Sequence, residues 1–158
     1  MLRTAALALA ALPLAAPALA LEPREGWRVH ASGKSHETLL ADLKAAVRAE
    51  GMGLVTEAGP TGAAAARGIE IPGNRIVGVF RNDVAVRILR LSPAAMIEAP
   101  IRFYVTEEPD GTATLSYKTP GFVFAPYMAE GGADPEAAAA ELDAVFAAIA
   151  ARARGQAD

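Results

Sequence analysis

The two histidines of the chain are the first residues to consider, because imidazole is the side chain that most readily exchanges a proton near neutral pH. His30 lies in an alternating segment, and His36 lies at the start of a predicted helix, followed directly by Glu37. A metal site needs more ligands than two imidazoles and one carboxylate supply. A small exported hydrolase-like enzyme using His30 or His36, or a metal-handling protein, is therefore kept as the alternative interpretation, and no catalytic or metal-ligating residue is predicted.

Other chemistry-bearing residue types give no motif. The chain has no cysteine, which excludes disulfides, zinc-thiolate sites, iron–sulfur clusters and thiol catalysis. No serine lies in a Gly-x-Ser-x-Gly pattern, and no glycine-rich phosphate loop precedes a lysine. Met52, Met96 and Met128 follow no ligand spacing. Three acids cluster at a predicted turn, where water solvates them: Glu107, Glu108 and Asp110. No cofactor is predicted.

The composition describes a folded domain of ordinary size. The chain has 158 residues, of which 53% are hydrophobic and 21% are charged, so it can bury one core. Its 15 basic and 18 acidic residues give a net charge of −3. Nucleic acid is therefore not expected as a partner, because neutralising phosphates requires a basic surface.

The first twenty residues have the three parts of a secretory signal. Arg3 precedes a charge-free Ala/Leu run, and Ala18-Leu19-Ala20 offers a small-x-small cleavage site. We predict cleavage after Ala20 and a periplasmic location, with the membrane involved only through this segment before cleavage; an uncleaved anchor is the alternative. The predicted domain organisation is a signal peptide at 1–20, an N-terminal segment at 21–26, one α+β domain at 27–154 and a tail at 155–158.

Two long amphipathic helices are predicted. Ser35 is a helix N-cap, and apolar residues recur with helical spacing until Gly51, so a helix is expected over 35–50. Asp134-Pro135 opens the second helix with a cap and a proline at its first position. Each helix has one apolar stripe, and both are expected on one face of a mixed, mainly antiparallel sheet.

The strands are predicted from alternation and from turns. Residues 75–81 form a nearly continuous β-branched run, typical of a central strand, in which Gly78 marks a close backbone approach. Residues 101–105 and 112–117 flank Pro109-Asp110-Gly111 and predict a hairpin. With Trp27, Val29 and Ala31 turned inward, the opposite sheet face carries a polar set that is either solvated, a dimer surface or a shallow anion site: Arg28, His30, Arg102, Tyr104, Thr114 and Ser116.

The segment 122–128 is unusually apolar for a predicted loop, which spans 119–132. Such a segment either covers the core or lines a pocket or a partner surface. The candidate ligand-binding residues, for a small apolar or anionic ligand, combine this segment with the polar sheet face: Arg28, His30, Arg102, Tyr104, Phe122, Phe124 and Tyr127.

The order of these motifs resembles the domain-of-unknown-function 302 family, over about residues 27–127. The resemblance depends on the opening helix with its closing glycine, on a short Ala-rich turn before an apolar-acidic-apolar segment, on two prolines ahead of a strand, and on the final hairpin. The matching residues are Thr38-Leu39 to Gly51-Met52, Ala64 with Arg67-Gly68-Ile69-Glu70-Ile71, Ser92-Pro93-Ala94-Ala95 with Ala99-Pro100-Ile101-Arg102, and Asp110-Gly111 with Leu115-Ser116-Tyr117 and Pro120.

The resemblance implies an α+β fold that pairs as a homodimer, and it implies no settled activity. Many members have a histidine ahead of the Ala-rich turn, where this chain has Gly59-Pro60-Thr61-Gly62. Members often read Phe-Gly-Asn-Pro where this chain has Phe80-Arg81-Asn82-Asp83. The sequence therefore favours a periplasmic, non-enzymatic binding or accessory domain, for a small molecule or another exported protein, over an enzyme.

Overall fold

The computed structural model describes residues 21–130 and 135–156. Within them, five strands form one sheet in the order β1-β5-β4-β3-β2, and every neighbouring pair is antiparallel. The strands are β1 (Trp27–Ser35), β2 (Gly53–Ala58), β3 (Asn74–Phe80), β4 (Ile101–Glu107) and β5 (Thr112–Lys118). The α+β fold class is confirmed, and the sheet is purely antiparallel.

Helices connect and cover these strands. They are α1 (His36–Ala49), α2 (Thr61–Ala65), α3 (Asn82–Leu91), α4 (Pro120–Phe124), α5 (Pro135–Arg154) and two 3₁₀ helices, Ala94–Glu98 and Ala125–Glu130. The predicted limits of α1 are confirmed: the Ser35 hydroxyl accepts a hydrogen bond from the Thr38 amide, and Gly51 after the helix has φ +73°. The predicted cap at Asp134 lies outside the described residues.

One buried cluster joins the two long helices to the sheet. Leu39, Leu43 and Val47 of α1 and Leu142, Phe146 and Ile149 of α5 belong to this cluster. The Phe146 ring stacks on Phe103 at a centroid distance of 4.4 Å, and its edge contacts Tyr117 at 5.5 Å. Lys34 Nζ donates to Asp42 of α1 and to the Ala153 carbonyl of α5, both at 2.7 Å, and so ties the two helices together.

The strand register divides the sheet into two faces. Tyr117 lies opposite Phe103, and Leu115 lies opposite Val105, so these buried residues share the face that the helices cover. On β3, Val77 lies opposite Phe103 and continues this face. The prediction that Arg102, Tyr104, Thr114 and Ser116 share the opposite face of β4 and β5 is confirmed.

The predicted inward face of β1 is wrong. Arg28 lies opposite Tyr117 and His30 opposite Leu115, so both share the helix-covered face. Trp27, Val29 and Ala31 alternate with them and lie on the other face. Alternation tells which residues share a face but not which face is covered, and β1 is an edge strand whose apolar set lines the uncovered side.

Two further expectations are corrected. The run at 75–81 is not the central strand, because β4 occupies the centre and β3 lies next to the edge strand β2. Its apolar character reflects a local cover on the second face: a Cβ on Gly78 would meet the Thr56 hydroxyl and lie 3.0 Å from the Pro100 ring. Within the predicted loop at 119–132, the described residues from Pro120 to Glu130 are helical. Thr119 caps α4 by accepting from the Phe122 amide.

Candidate functional site

The sheet face away from the long helices, here called the open face, carries two rows of side chains across four strands. The first row runs through Trp27, Lys118, Arg102 and Gly78, and the second through Val29, Ser116, Tyr104 and Ile76. The Lys118–Arg102 step continues the register one residue beyond the Phe103–Tyr117 pair. Apolar and cationic side chains thus meet on one sheet face, on which Lys118, Arg102 and Ile76 are exposed.

A cavity of about 340 Å³ lies over these rows. Its floor is the open face, and its walls include Glu98 from the first 3₁₀ helix and Val123 from α4. Trp27, Ile76 and Tyr104 supply apolar surface inside it. Small-molecule sites in proteins occupy roughly 300–1,000 Å³ and combine apolar walls with a few polar groups, so this cavity has the character of a site for a small ligand.

Two hydrogen bonds hold the polar rim of the cavity. The Asn74 amide donates to the Tyr104 hydroxyl, which orients that ring on the sheet. The Tyr127 hydroxyl donates to Glu98 at 3.0 Å. This bond, together with partial burial and the charges of Glu98 and Glu130, raises the pKa of Tyr127, so the tyrosine stays a neutral donor.

The cations of the cavity have no carboxylate partner in the described part of the chain. Lys118 Nζ lies 6.0 Å from the centre of the Trp27 ring, and Arg24 lies 5.6 Å from it. Lys118 of the cavity and Arg24 of the N-terminal segment thus contact the indole through cation–π interactions. The ion pairs present among the described residues involve other groups, such as Lys44–Glu57 and Arg87–Glu141.

A second depression of about 550 Å³ lies further along the open face. It is lined by the N-terminal segment, β1, β5 and the turn before β5, including Leu21, Val29 and Thr114. No helix walls it, so it offers less enclosure than the first cavity.

The structure brings together only some of the predicted site residues. Arg102 and Tyr104 line the cavity, and Tyr127 reaches its rim through Glu98. Phe124 is 8% exposed and belongs to the core, whereas Phe122 is 40% exposed and its ring covers Gly26. Thr114 and Ser116 lie on the open face as predicted but are buried, at 5% and 0% exposure, which contradicts a fully solvated face.

The prediction missed Trp27, Ile76, Glu98 and Lys118. Lys118 could have been predicted on this face, because it lies two positions after Ser116 and continues the alternation of Thr114 and Ser116. Trp27 was assigned to the core through the reversed face of β1. Glu98 had no sequence signal, since its place depends on how the first 3₁₀ helix folds over the sheet.

Both histidines lie away from this cavity. His30 is on the helix-covered face with its ring 5.9 Å from Tyr117, and burial, with help from Arg154 and Arg28, lowers its pKa. His36 packs against Gly73, whose amide donates to Glu107 at 2.6 Å. The Nε2 atom of each ring is buried without a hydrogen-bond partner among the described residues.

The alternatives of a hydrolase-like enzyme and of a metal-handling protein stay predictions. No imidazole hydrogen bond to a carboxylate or hydroxyl occurs in residues 21–130 and 135–156. Within the same ranges, no group of three or more histidine, aspartate or glutamate side chains is placed to hold a metal.

Comparison with known proteins gives the family and the fold. The sequence profile of the domain of unknown function DUF302 matches residues 27–149. The chain belongs to the DUF302 family. The structure is similar to the crystal structure of an uncharacterized conserved DUF302 protein from Bacillus stearothermophilus, with a TM-score of 0.72 and 17% identity over 83% of this chain and 100% of that one. Among curated proteins, none matches the chain.

DUF302 membership confirms the resemblance drawn from the sequence. The profile covers all five strands, α1 to α4 and most of α5. At 17% identity the structural likeness supports the fold and no more. What the cavity binds must therefore be argued from the residues that line it.

Proposed function

We propose that this DUF302 chain is exported to the periplasm and that its domain binds a small molecule, without chemical conversion, in the cavity of the open face. The observation that carries the proposal is the cavity itself: about 340 Å³, floored by Tyr104 and Ile76 and walled by elements outside the sheet. A binding role fits this site because apolar surface and a few polar groups converge there.

The apolar lining supports retention of a ligand. Trp27, Ile76 and Val123 come from three separate elements, so a molecule between them removes apolar surface from water on several sides. Burying apolar surface is favourable by about 25 cal/mol per Å². Ile76 is 37% exposed, so it has surface left to bury.

Export is supported by the segment at 1–20, which has the parts of a secretory signal. No helix among the described residues combines the length and the apolarity that crossing a bilayer requires. Cell fractionation followed by N-terminal sequencing tests this part, with a mature chain beginning at Leu21 as the expected result. A full-length chain in the membrane fraction would contradict it.

We also propose that the chain forms a homodimer, and this part of the proposal rests on the family resemblance alone. Light scattering of the purified protein over a range of concentrations tests it, and a monomer at every concentration would remove it from the proposal.

The binding role is tested by native mass spectrometry of protein purified from the periplasm. We expect a bound small molecule that dissociates with its mass unchanged. Ile76→Trp fills the cavity and should abolish the adduct. Val55→Trp is the matched control, because Val55 is a β-branched residue with 52% exposure on β2 that does not line the cavity. Equal adduct in both variants contradicts binding in this cavity.

A further inference from the structure

We propose that the cavity selects an amphipathic organic anion, a single carboxylate on a medium-length alkyl body, whose acid group binds between Lys118 and Arg102. This inference rests on the proposed binding function and adds the chemical class of the ligand. It is carried by two cations that are cross-strand neighbours without a bridging carboxylate, beside apolar side chains of the same cavity.

The cation pair is the first step. The register that pairs Phe103 with Tyr117 brings Arg102 and Lys118 to neighbouring positions on the open face. Like charges directly opposite on a sheet are destabilising. In the described part of the chain, no carboxylate lies within ion-pair distance of either cation, so an anion placed between them relieves the repulsion and forms charge-assisted hydrogen bonds.

Some other cations of the described structure have a carboxylate partner: Lys44 pairs with Glu57 at 2.6 Å and Arg152 with Glu50 at 2.9 Å. Single surface cations such as Arg48 have none either among the described residues, so what sets Arg102 and Lys118 apart is that two unpaired cations are neighbours in one cavity. Glu98 is the acid of the cavity wall, but it accepts from Tyr127 and does not bridge Lys118 and Arg102. The positive charge at this end of the cavity is therefore available to a ligand.

The apolar side chains are the second step. Residues two apart on a strand lie about 7 Å from one another along the sheet. The row that contains Ser116, Tyr104 and Ile76 is thus the surface that an alkyl chain meets next to an acid group held by Arg102 and Lys118. Val123 of α4 and Trp27, which lies in the row of the cations, add apolar surface. An acid group between the cations therefore leaves its alkyl body beside apolar side chains.

The cavity size argues for a small free acid over a long-chain lipid. A volume of about 340 Å³ is at the lower end of the range for small-molecule sites. A medium-chain carboxylate such as octanoate places both of its parts in contact with the protein. We therefore use octanoate as the probe.

The single tryptophan makes the test direct. The chain has one tryptophan, Trp27, and it lines the cavity, so its fluorescence reports occupancy. The intact domain is titrated with octanoate, octanamide, octylammonium and acetate. We expect saturable quenching or a spectral shift with octanoate, binding about tenfold weaker or less with octanamide, and no response to octylammonium or acetate.

The variants locate the acid group. Lys118→Met and Arg102→Met each remove one cation and keep an unbranched side chain, and each should weaken octanoate binding about tenfold while leaving the weaker octanamide binding unchanged. Arg48→Met is the matched control, because Arg48 is an exposed cation on α1 and should leave both affinities unchanged. High salt should weaken octanoate binding, since the Debye length falls from about 10 Å at 0.1 M to about 3 Å at 1 M.

The possible results separate the two proposals. Equal affinity for octanoate and octanamide overturns the anion assignment and leaves the binding cavity standing. Equal affinity for acetate and octanoate overturns the need for an alkyl body. A ligand retained in the mass-spectrometry experiment, together with no Trp27 response to octanoate, overturns the assignment of this ligand class alone. Absence of both the retained adduct and any fluorescence response overturns the binding function as well.

Discussion

The two faces of the sheet differ in how their aromatic, apolar and charged side chains are packed and paired. On the helix-covered face, aromatic rings stack, as Phe146 does on Phe103 at 4.4 Å, and Lys44 and Arg75 both pair with Glu57. On the open face, Ile76 stays 37% exposed, and Lys118 meets an indole ring in place of a carboxylate. The first arrangement stabilises the fold. The second keeps apolar surface and charge available, which is the condition for binding.

The largest effect on stability is expected from a substitution that removes the aromatic stack of the helix-covered face. Phe146→Ala should lower the free energy of unfolding by about 3–5 kcal/mol, because it removes a fully buried ring and leaves a cavity. Ile76→Ala on the open face should cost about 1 kcal/mol or less, since part of its side chain is already in water. Urea unfolding followed by circular dichroism measures both. Similar losses would contradict the distinction between the two faces.

An intermediate effect tests the local cover over β3 on the open face. Gly78→Ala should destabilise the domain by about 1–3 kcal/mol, because the added Cβ meets the Thr56 hydroxyl and the Pro100 ring. Adding Thr56→Ala should recover part of the loss. Gly62→Ala is the control, since a Cβ there meets nothing within 4 Å. Thermal unfolding compares the three proteins, and a neutral Gly78→Ala would show that this cover is loose.

The smallest effect concerns the histidine that the sequence placed on the wrong face. The pKa of His30 is lowered from 6.5, chiefly by burial and then by Arg154 and Arg28. A depressed histidine pKa means that the unfolded state binds protons first, so the contribution of His30 to stability is complete above 6.5 and declines as the pH falls below it. NMR titration of the His30 ring should give a midpoint below 6.5.

Arg154→Met sharpens this test. It should move the His30 midpoint only part of the way back toward 6.5, because burial is the larger cause. A midpoint at or above 6.5 in the wild type would contradict the burial of His30 beside Tyr117.

Local signals were sufficient for several elements. Ser35 and Gly51 bound α1 through a cap and a left-handed residue, both of which act within one turn. The hairpin of β4 and β5 was predicted for a similar reason, because its turn at 109–111 and its alternation are read within one segment. The helix that begins after Thr119 has the same kind of cap, but the segment was predicted as a loop.

The candidate site was less accessible from the sequence. Arg102 and Tyr104 were identified because their strand alternates strictly and its apolar set is buried. Arg28 and His30 were placed on the wrong face because β1 alternates one polar set with one apolar set, and alternation alone does not tell which set meets the helices. Glu98 joins the cavity only through the packing of its 3₁₀ helix beside the sheet.

By itself, then, the amino-acid sequence determined the family, the α+β class, most local elements and, for each strand, which residues point the same way. The tertiary structure alone decided which of the two sets on β1 meets the helices, and so whether Trp27 or His30 shares a surface with Arg102. The reason is that a period of two is unchanged when a strand is turned over, whereas the register between distant strands depends on pairing and burial across the whole sheet.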